Sequence, residues 1–209
     1  MNIIVVAGAN GSGKSTYIKN IINSGLFNDY KYICPDEEVK NVDPQISDIM
    51  DRYILAMTKC DELRLECIKN KRPFIMETVL STVDKINELK YAKELGYEIT
   101  IFYIATKSPV INIKRVGERV SFGGHDVPKE KIMSRYERSM SNIHWLFDVA
   151  DSLIVYDNSD DADIGLPKIV MEYSSDDSIY IINSEYRNTR WVNKYIKRYL
   201  EQIKYDILN

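Results

Sequence analysis

Gly8-Ala9-Asn10-Gly11-Ser12-Gly13-Lys14-Ser15 is a complete GxxxxGK(S/T) octapeptide, and Thr16 follows it. Glycine at those positions lets the backbone turn tightly with its N–H groups aimed inward, and a helix starting near Lys14 adds its partial positive end. Such a loop cradles polyphosphate. Lys14 is expected to stand exposed at the site and reach the β and γ phosphates, while Ser15 gives its hydroxyl to the Mg²⁺ that bridges them. Gly8 to Thr16 is therefore the candidate nucleotide-binding set, for a nucleoside triphosphate with Mg²⁺. A plain glycine-rich turn explains neither the lysine nor the spacing.

Binding a triphosphate does not say what is done with it, and the acidic residues discriminate. Asp36, in Cys34-Pro35-Asp36-Glu37-Glu38, has two readings. It is a helix N-cap with Glu37 and Glu38 in the first turn, or a base that takes the proton of a hydroxyl held beside the γ-phosphate, and both roles are compatible. Glu77-Thr78 closes an apolar run where the acceptor of a phosphoryl-transfer enzyme would sit. Leu153-Ile154-Val155-Tyr156-Asp157 imitates a Walker B strand but comes late, and Asn158 and Ser159 make Asp157 read as a strand-to-turn residue. Arg115, Arg119, Arg135 and Arg138 flank Gly123-Gly124, and guanidinium groups on a closing loop suit the charge spread over a transferring phosphoryl group.

To hold these residues together the chain needs a sheet whose strand ends converge. Asn2 to Ala7 is a short β-branched run that suits a central strand, and helix follows from Lys14. Further strands are predicted at 30–34, at Phe74 to Met76, at Glu98 to Ala105 and at Leu153 to Tyr156. Helices are predicted from Ile46 to Ile68, capped by Asp43-Pro44, from Val83 to Leu95 closed by Gly96, and over Pro109 to Arg119 and Pro128 to Phe147. Two short strands and an amphipathic helix bearing Trp191, Tyr195, Tyr199 and Ile203 complete the pattern. The alternation predicts an α/β class fold, a P-loop NTPase or kinase-like three-layer fold with a mostly parallel central sheet flanked by helices. It is expected as one domain over 1–209, with the motifs within about 1–157 and the strands and helix of 165–209 packed on it.

With 44% hydrophobic and 28% charged residues, the 209-residue chain can bury a core and keep a polar surface. A net charge of −3 gives no global field for nucleic acid or an anionic membrane, so phosphate must be bound by a local site. No long apolar run or leader is visible, and the expectation is a soluble, cytoplasmic protein. Cys34, Cys60 and Cys67 lack metal-ligand spacing and read as reduced thiols, with Cys60 and Cys67 facing the same way in a core.

The loop Gly8 to Ser15, Asp36, Glu77-Thr78 and, above all, Gly123-Gly124-His125-Asp126-Val127-Pro128 with Ile132, Arg135-Tyr136, Arg138-Ser139 and Asn142 resemble the zeta toxin family of P-loop kinases, in particular its short members. The resemblance covers about the first three-quarters of the chain. It implies that Lys14 and Ser15 handle ATP and Mg²⁺, that Asp36 is the catalytic base, and that Glu77, with Thr78, orients the acceptor sugar. Arg119 and Arg135 match the family's phosphate-binding pair. The implied reaction is phosphorylation of a hydroxyl of UDP-N-acetylglucosamine or another UDP-sugar, and the resemblance implies a protein that is either held by an antitoxin or acts alone. Pro35, immediately before the candidate base, departs from the family pattern.

Two other classes make different demands. A regulatory or mechanical ATPase calls for a Walker B Asp after a central strand, and a transporter motor for an LSGGQ-like segment, of which Ser121-Phe122-Gly123-Gly124-His125 is a partial echo. A noncatalytic RNA-binding module calls for a basic stripe beside the 15 tyrosines, and none is present.

Overall fold

The computed structural model describes residues 1–123, 126–160, 167–176 and 179–200. A seven-stranded sheet organises them, in the order β2-β3-β1-β4-β5-β6-β7. Strands β1 (Asn2–Ala7), β2 (Lys31–Ile33), β3 (Phe74–Thr78), β4 (Glu98–Ala105) and β5 (Ser152–Asp157) run parallel, and β6 (Lys168–Ser174) and β7 (Ile179–Ile182) continue the sheet antiparallel. β1 lies between β3 and β4, with Val6 opposite Glu77 and Ala7 opposite both Thr78 and Tyr103. From β1 the chain crosses to β2 on one side, while β4 adjoins the other side, and the phosphate loop follows β1 at its carboxyl end.

Side chains alternate across β1 and sort the core into two layers. Ile3, Val5 and Ala7 join Phe74, Met76, Ile101, Tyr103 and Val155 on the heavily covered face. There the sheet meets α3 (Ile49–Lys69), α4 (Asp84–Glu94), α6 (Lys129–Ser141) and the C-terminal helical segment, through Cys60, Leu63, Leu89, Tyr136, Trp191 and Ile196. Val6 and Ile104 face the other way and pack on Ile18 of α1 (Lys14–Asn23), fringed by Tyr17, Tyr32, Phe102 and Tyr156. α5 (Pro109–Ser121) packs on α6 through Val116, Val127 and Ile132. Cys60 and Cys67 are buried free thiols in the larger core, as their spacing predicts, and burial pushes the Cys60 thiol up to about 11. Among the described residues, no helix is long and apolar enough to cross a membrane.

Several element boundaries differ from the sequence expectation. α3 starts at Ile49, not Ile46, and its cap is Asp48, whose carboxylate accepts from Met50 N at 2.6 Å. Asp43 instead accepts from Gln45 N at 2.9 Å, so the Asp-Pro pair closes a local turn ahead of the helix. The helix expected to run to Phe147 is α-helical only to Ser141 and tightens into a 3₁₀ segment over Asn142–Asp148. The tail is a short α7 (Arg190–Val192) followed by a π-helical turn at Asn193–Lys197, and Ile203 lies outside the described residues. α4 ends as expected: Gly96 takes φ 86°, and Tyr97 N returns to Ala92 O at 3.1 Å.

Candidate active site at the phosphate loop

Each glycine-bearing turn of the loop is fixed by a neighbouring strand or helix. Gly8 N donates to Thr78 O at 3.1 Å, so the chain leaves β1 while still tied to β3. Gly13, at φ 101°, occupies the N-cap of α1 in a left-handed conformation that a side chain would strain. Ser12 is buried, and among the described residues its Oγ has no hydrogen-bond partner, an orphan donor inside the loop that a phosphate oxygen would satisfy. Thr16, the last of the candidate nucleotide-binding residues, is exposed on α1.

Lys14 corrects one expectation. The residue is 5% exposed, because its side chain folds across the loop: Nζ donates to Ala9 O at 3.0 Å and stands 3.6 Å from Glu77 Oε1. Burial pushes its pKa down, Glu77 opposes that shift, Arg119 adds to it and Asp36 opposes it. Glu77, Arg119 and Asp36, three of the four charged flanking groups expected at the site, are therefore within electrostatic reach of this ammonium.

Glu77 is the hub of the cluster. Ser15 Oγ donates to its two oxygens at 3.2 and 3.3 Å, and Tyr32 Oη donates to Oε2 at 3.4 Å. Burial holds the Tyr32 phenol well above its usual range, with Cys34 and the Glu77 charge adding to the shift, so the phenol remains a donor. Thr78, the other acceptor-side residue, braces the chain after β3, where its Oγ1 accepts from Leu80 N at 3.1 Å. A hydroxyl and a carboxylate this close are the hard oxygen donors that Mg²⁺ takes in company with substrate phosphates, so Ser15 and Glu77 fit the ion.

Asp36 is not a cap. The N-cap of the four-residue α2 (Pro35–Glu38) is Cys34, in an extended conformation at φ −143°, and Pro35 is at the first helical position. Proline forces its predecessor to be extended and fits the first helical position, which places Asp36 one residue further in. Its exposed carboxylate hydrogen-bonds the phenol of Tyr53 on α3, whose pKa burial raises first and Asp36 raises further. Arg119, near the end of α5, also acts on Tyr53 and Lys14. Arg135 on α6 reaches the loop itself, its Nη1 lying 3.4 Å from Asn10 Oδ1. Gly124 and His125, between the two arginines, lie outside the described residues.

The stretch from Ile132 to Asn142 divides by face. Ile132 is core, Tyr136 Oη donates to Thr106 O at 2.7 Å, Ser139 meets Tyr103 Oη at 2.8 Å, and Asn142 Nδ2 donates to Leu80 O at 3.0 Å. Those residues hold α6 on the sheet so that Arg135 can face the loop. Arg115 is used structurally as well, donating to Asn158 O and Asp160 O at 2.7 and 2.6 Å. Asp157 accepts from Ser159 N at 2.9 Å, the turn role its sequence suggests.

Two residues at the loop had no role in the sequence reading. Asn112 Nδ2 donates to Asn10 O at 2.7 Å, and Asn158 Nδ2 donates to Ser12 O at 2.8 Å. Asn158 keeps its place in the Asp157–Ser159 turn and adds this contact to it. A carboxamide directly after a strand that ends beside the loop was the one signal the sequence offered.

Comparison with known proteins identifies the family of the chain and its fold. The sequence profile of the family described as Zeta toxin matches residues 2–164. A stretch of 133 residues is 32% identical to an uncharacterized protein of Haemophilus influenzae, spanning 64% of this chain and 91% of that protein. A solved structure from the PezAT chromosomal toxin-antitoxin system of Streptococcus pneumoniae matches with TM-score 0.59 and 16% identity over 94% of this chain and 76% of that one. The AvrRxo1-ORF1:-ORF2 structure with ATP matches with TM-score 0.69 and 13% identity over 93% of this chain and 63% of that one. At such identities the two structural matches establish a shared α/β fold.

Proposed function

Because this chain belongs to the zeta toxin family, we propose that it is an ATP-dependent phosphotransferase that moves the γ-phosphoryl group onto an alcohol, with a UDP-activated sugar such as UDP-N-acetylglucosamine as acceptor. The observation that carries the reading is the convergence of Lys14, Ser15 and Glu77 within hydrogen-bonding or ion-pair distance at the end of β1 and β3. Asp36 and Arg119 act on the same ammonium.

In this reading the loop N–H groups and Lys14 grip the β and γ phosphates, and Lys14 exchanges the Ala9 carbonyl for a phosphate oxygen. Ser15 and Glu77 would hold a Mg²⁺ that arrives with the nucleotide, and the ion would supply charge neutralisation at the phosphates. Asp36 accepts the proton of the attacking hydroxyl as its oxygen bonds to phosphorus; the bond from phosphorus to the β–γ bridging oxygen breaks, and ADP leaves. Arg119 and Arg135 neutralise the equatorial oxygens, and Glu77, with Thr78 behind it, borders the acceptor. An antitoxin protein is the partner that this reading implies.

The test is direct. Pure protein is incubated with Mg-ATP and a panel of UDP-sugars, nucleosides and oligonucleotides, and ADP release is followed with product mass. A phosphorylated UDP-sugar with stoichiometric ADP is the expected result, whereas turnover independent of any acceptor would identify an ATPase instead.

A further inference from the structure

A loop grips phosphate with N–H groups pointing in only if its carbonyls point out, and an outward carbonyl pressed under neighbouring elements needs a donor. Asn112 and Asn158 supply donors at alternate positions, Asn10 O and Ser12 O. Because a carbonyl only accepts, each carboxamide must present its NH₂ side there. The approach is as close as glycine permits. A Cβ built on Gly13 would collide with Asn158 Nδ2, and one built on Gly11 would lie 2.6 Å from Asn112 O. The motif glycines thus make room for the outer contacts as well as for phosphate.

Each residue is itself held, Asn112 through its amide oxygen and Asn158 through its backbone. Asn112 is fully buried on α5, and its Oδ1 accepts from Thr106 Oγ1 at the end of β4. Asn158 N donates to Ala105 O at 2.8 Å, and its carbonyl is held by Arg115 at 2.7 Å. The clamp is one connected set running from the ends of β4 and β5 through α5 to the loop.

We infer that Asn112 and Asn158 are positioning residues for phosphate binding, an outer clamp that fixes the loop with its donors facing inward. The inference rests on the phosphate-loop reading of Gly8 to Ser15. It assigns to two neutral amides outside the motif a share of the affinity that sequence alone credits to the motif.

Inorganic tripolyphosphate is the probe, because it needs neither base nor acceptor, and its affinity is measured by calorimetry on the full chain. Asn158→Asp keeps the shape but turns an acceptor toward Ser12 O; Asn158→Ala removes the donor without adding charge. The expected loss is about tenfold or more for the aspartate variant and about threefold to tenfold for the alanine variant. Arg115→Met should weaken binding by a similar factor, non-additively with Asn158→Ala, because it acts through the same residue. Melting temperature is read alongside: the ligand-free value should fall by only a few degrees, while the rise caused by tripolyphosphate shrinks. Wild-type affinity in the folded Asn158→Ala protein, or full additivity with Arg115→Met, overturns the clamp. A wild-type protein that fails to bind tripolyphosphate overturns the phosphate-loop reading itself, and the clamp with it.

Discussion

On the β3 side of the phosphate loop the neighbours are carboxylates, Glu77 and Asp36, each engaged by a tyrosine, Tyr32 or Tyr53. On the β4 and β5 side they are amides and guanidiniums: Asn112, Asn158, Arg115 and Arg135. Carboxylates beside bound phosphate would repel it unless a cation stands between, so the β3 flank suits a metal ion and an attacking hydroxyl. The opposite flank carries no such conflict and can be devoted to loop shape and phosphate charge. In the proposed function the loop therefore divides its labour by side, chemistry on one and geometry on the other.

The largest expected effect strikes the residue that ties the loop to the β3 flank. Lys14→Ala should abolish phosphoryl transfer, a loss of at least about 10³-fold in acceptor-dependent ADP formation. Glu77 keeps Ser15 and Tyr32 as donors, so the melting temperature should move little. Near-normal turnover in a folded Lys14→Ala protein would break the whole comparison.

Asp36→Asn tests the chemical side. The amide cannot take a proton, and single-turnover transfer should fall on the order of 10³-fold while ATP binding survives. Asp36 sits inside the first turn of α2, where its charge is worth roughly 0.3–1 kcal/mol against the helix dipole, so stability should hardly report the change. A chemical step that is unaltered would move the base role to Glu77.

Arg119→Ala and Arg135→Ala test the cationic side, each expected to lower kcat on the order of 10²-fold with a smaller effect on the Kd of ATP. Lysine should rescue poorly, since it lacks the planar fork. If both alanine variants keep wild-type kcat, neither arginine meets the transferring group.

Tyr32→Phe is the smallest of the series and sharpens the contrast. It removes one donor to Glu77 and nothing from the β4 and β5 flank, so the apparent Mg²⁺ requirement should rise by about tenfold or less. Affinity for metal-free tripolyphosphate should not change. An equal loss of both would mean that the phenol merely supports the strand end.

How much of this was legible follows from how far apart the partners are in the chain. The loop was readable because its glycines, lysine and serine are contiguous and need only a strand before and a helix after. The parallel sheet was readable from alternation. Asp36 was placed correctly at a strand end, but its capping role was not, because Pro35 at the first helical position hands the cap to Cys34. Asp43-Pro44 shows the reverse error, with the letters of a cap used in a turn. The burial of Lys14 depends on Glu77, and the two amides meet carbonyls 102 and 146 residues away. No local pattern encodes such a meeting, and a lone Asn after a strand looks like a turn.

The same separation has a consequence in time. The phosphate loop leaves the ribosome well before β5, so Ser12 must wait for Asn158, and Asn158 for the strand that carries it. Contacts of such long range close late, and a chain stopped at 157 would hold the whole glycine motif with Ser12 O still lacking its amide. A nascent chain therefore carries the nucleotide signature long before it can use it, and grip on phosphate is expected to mature together with the end of β5.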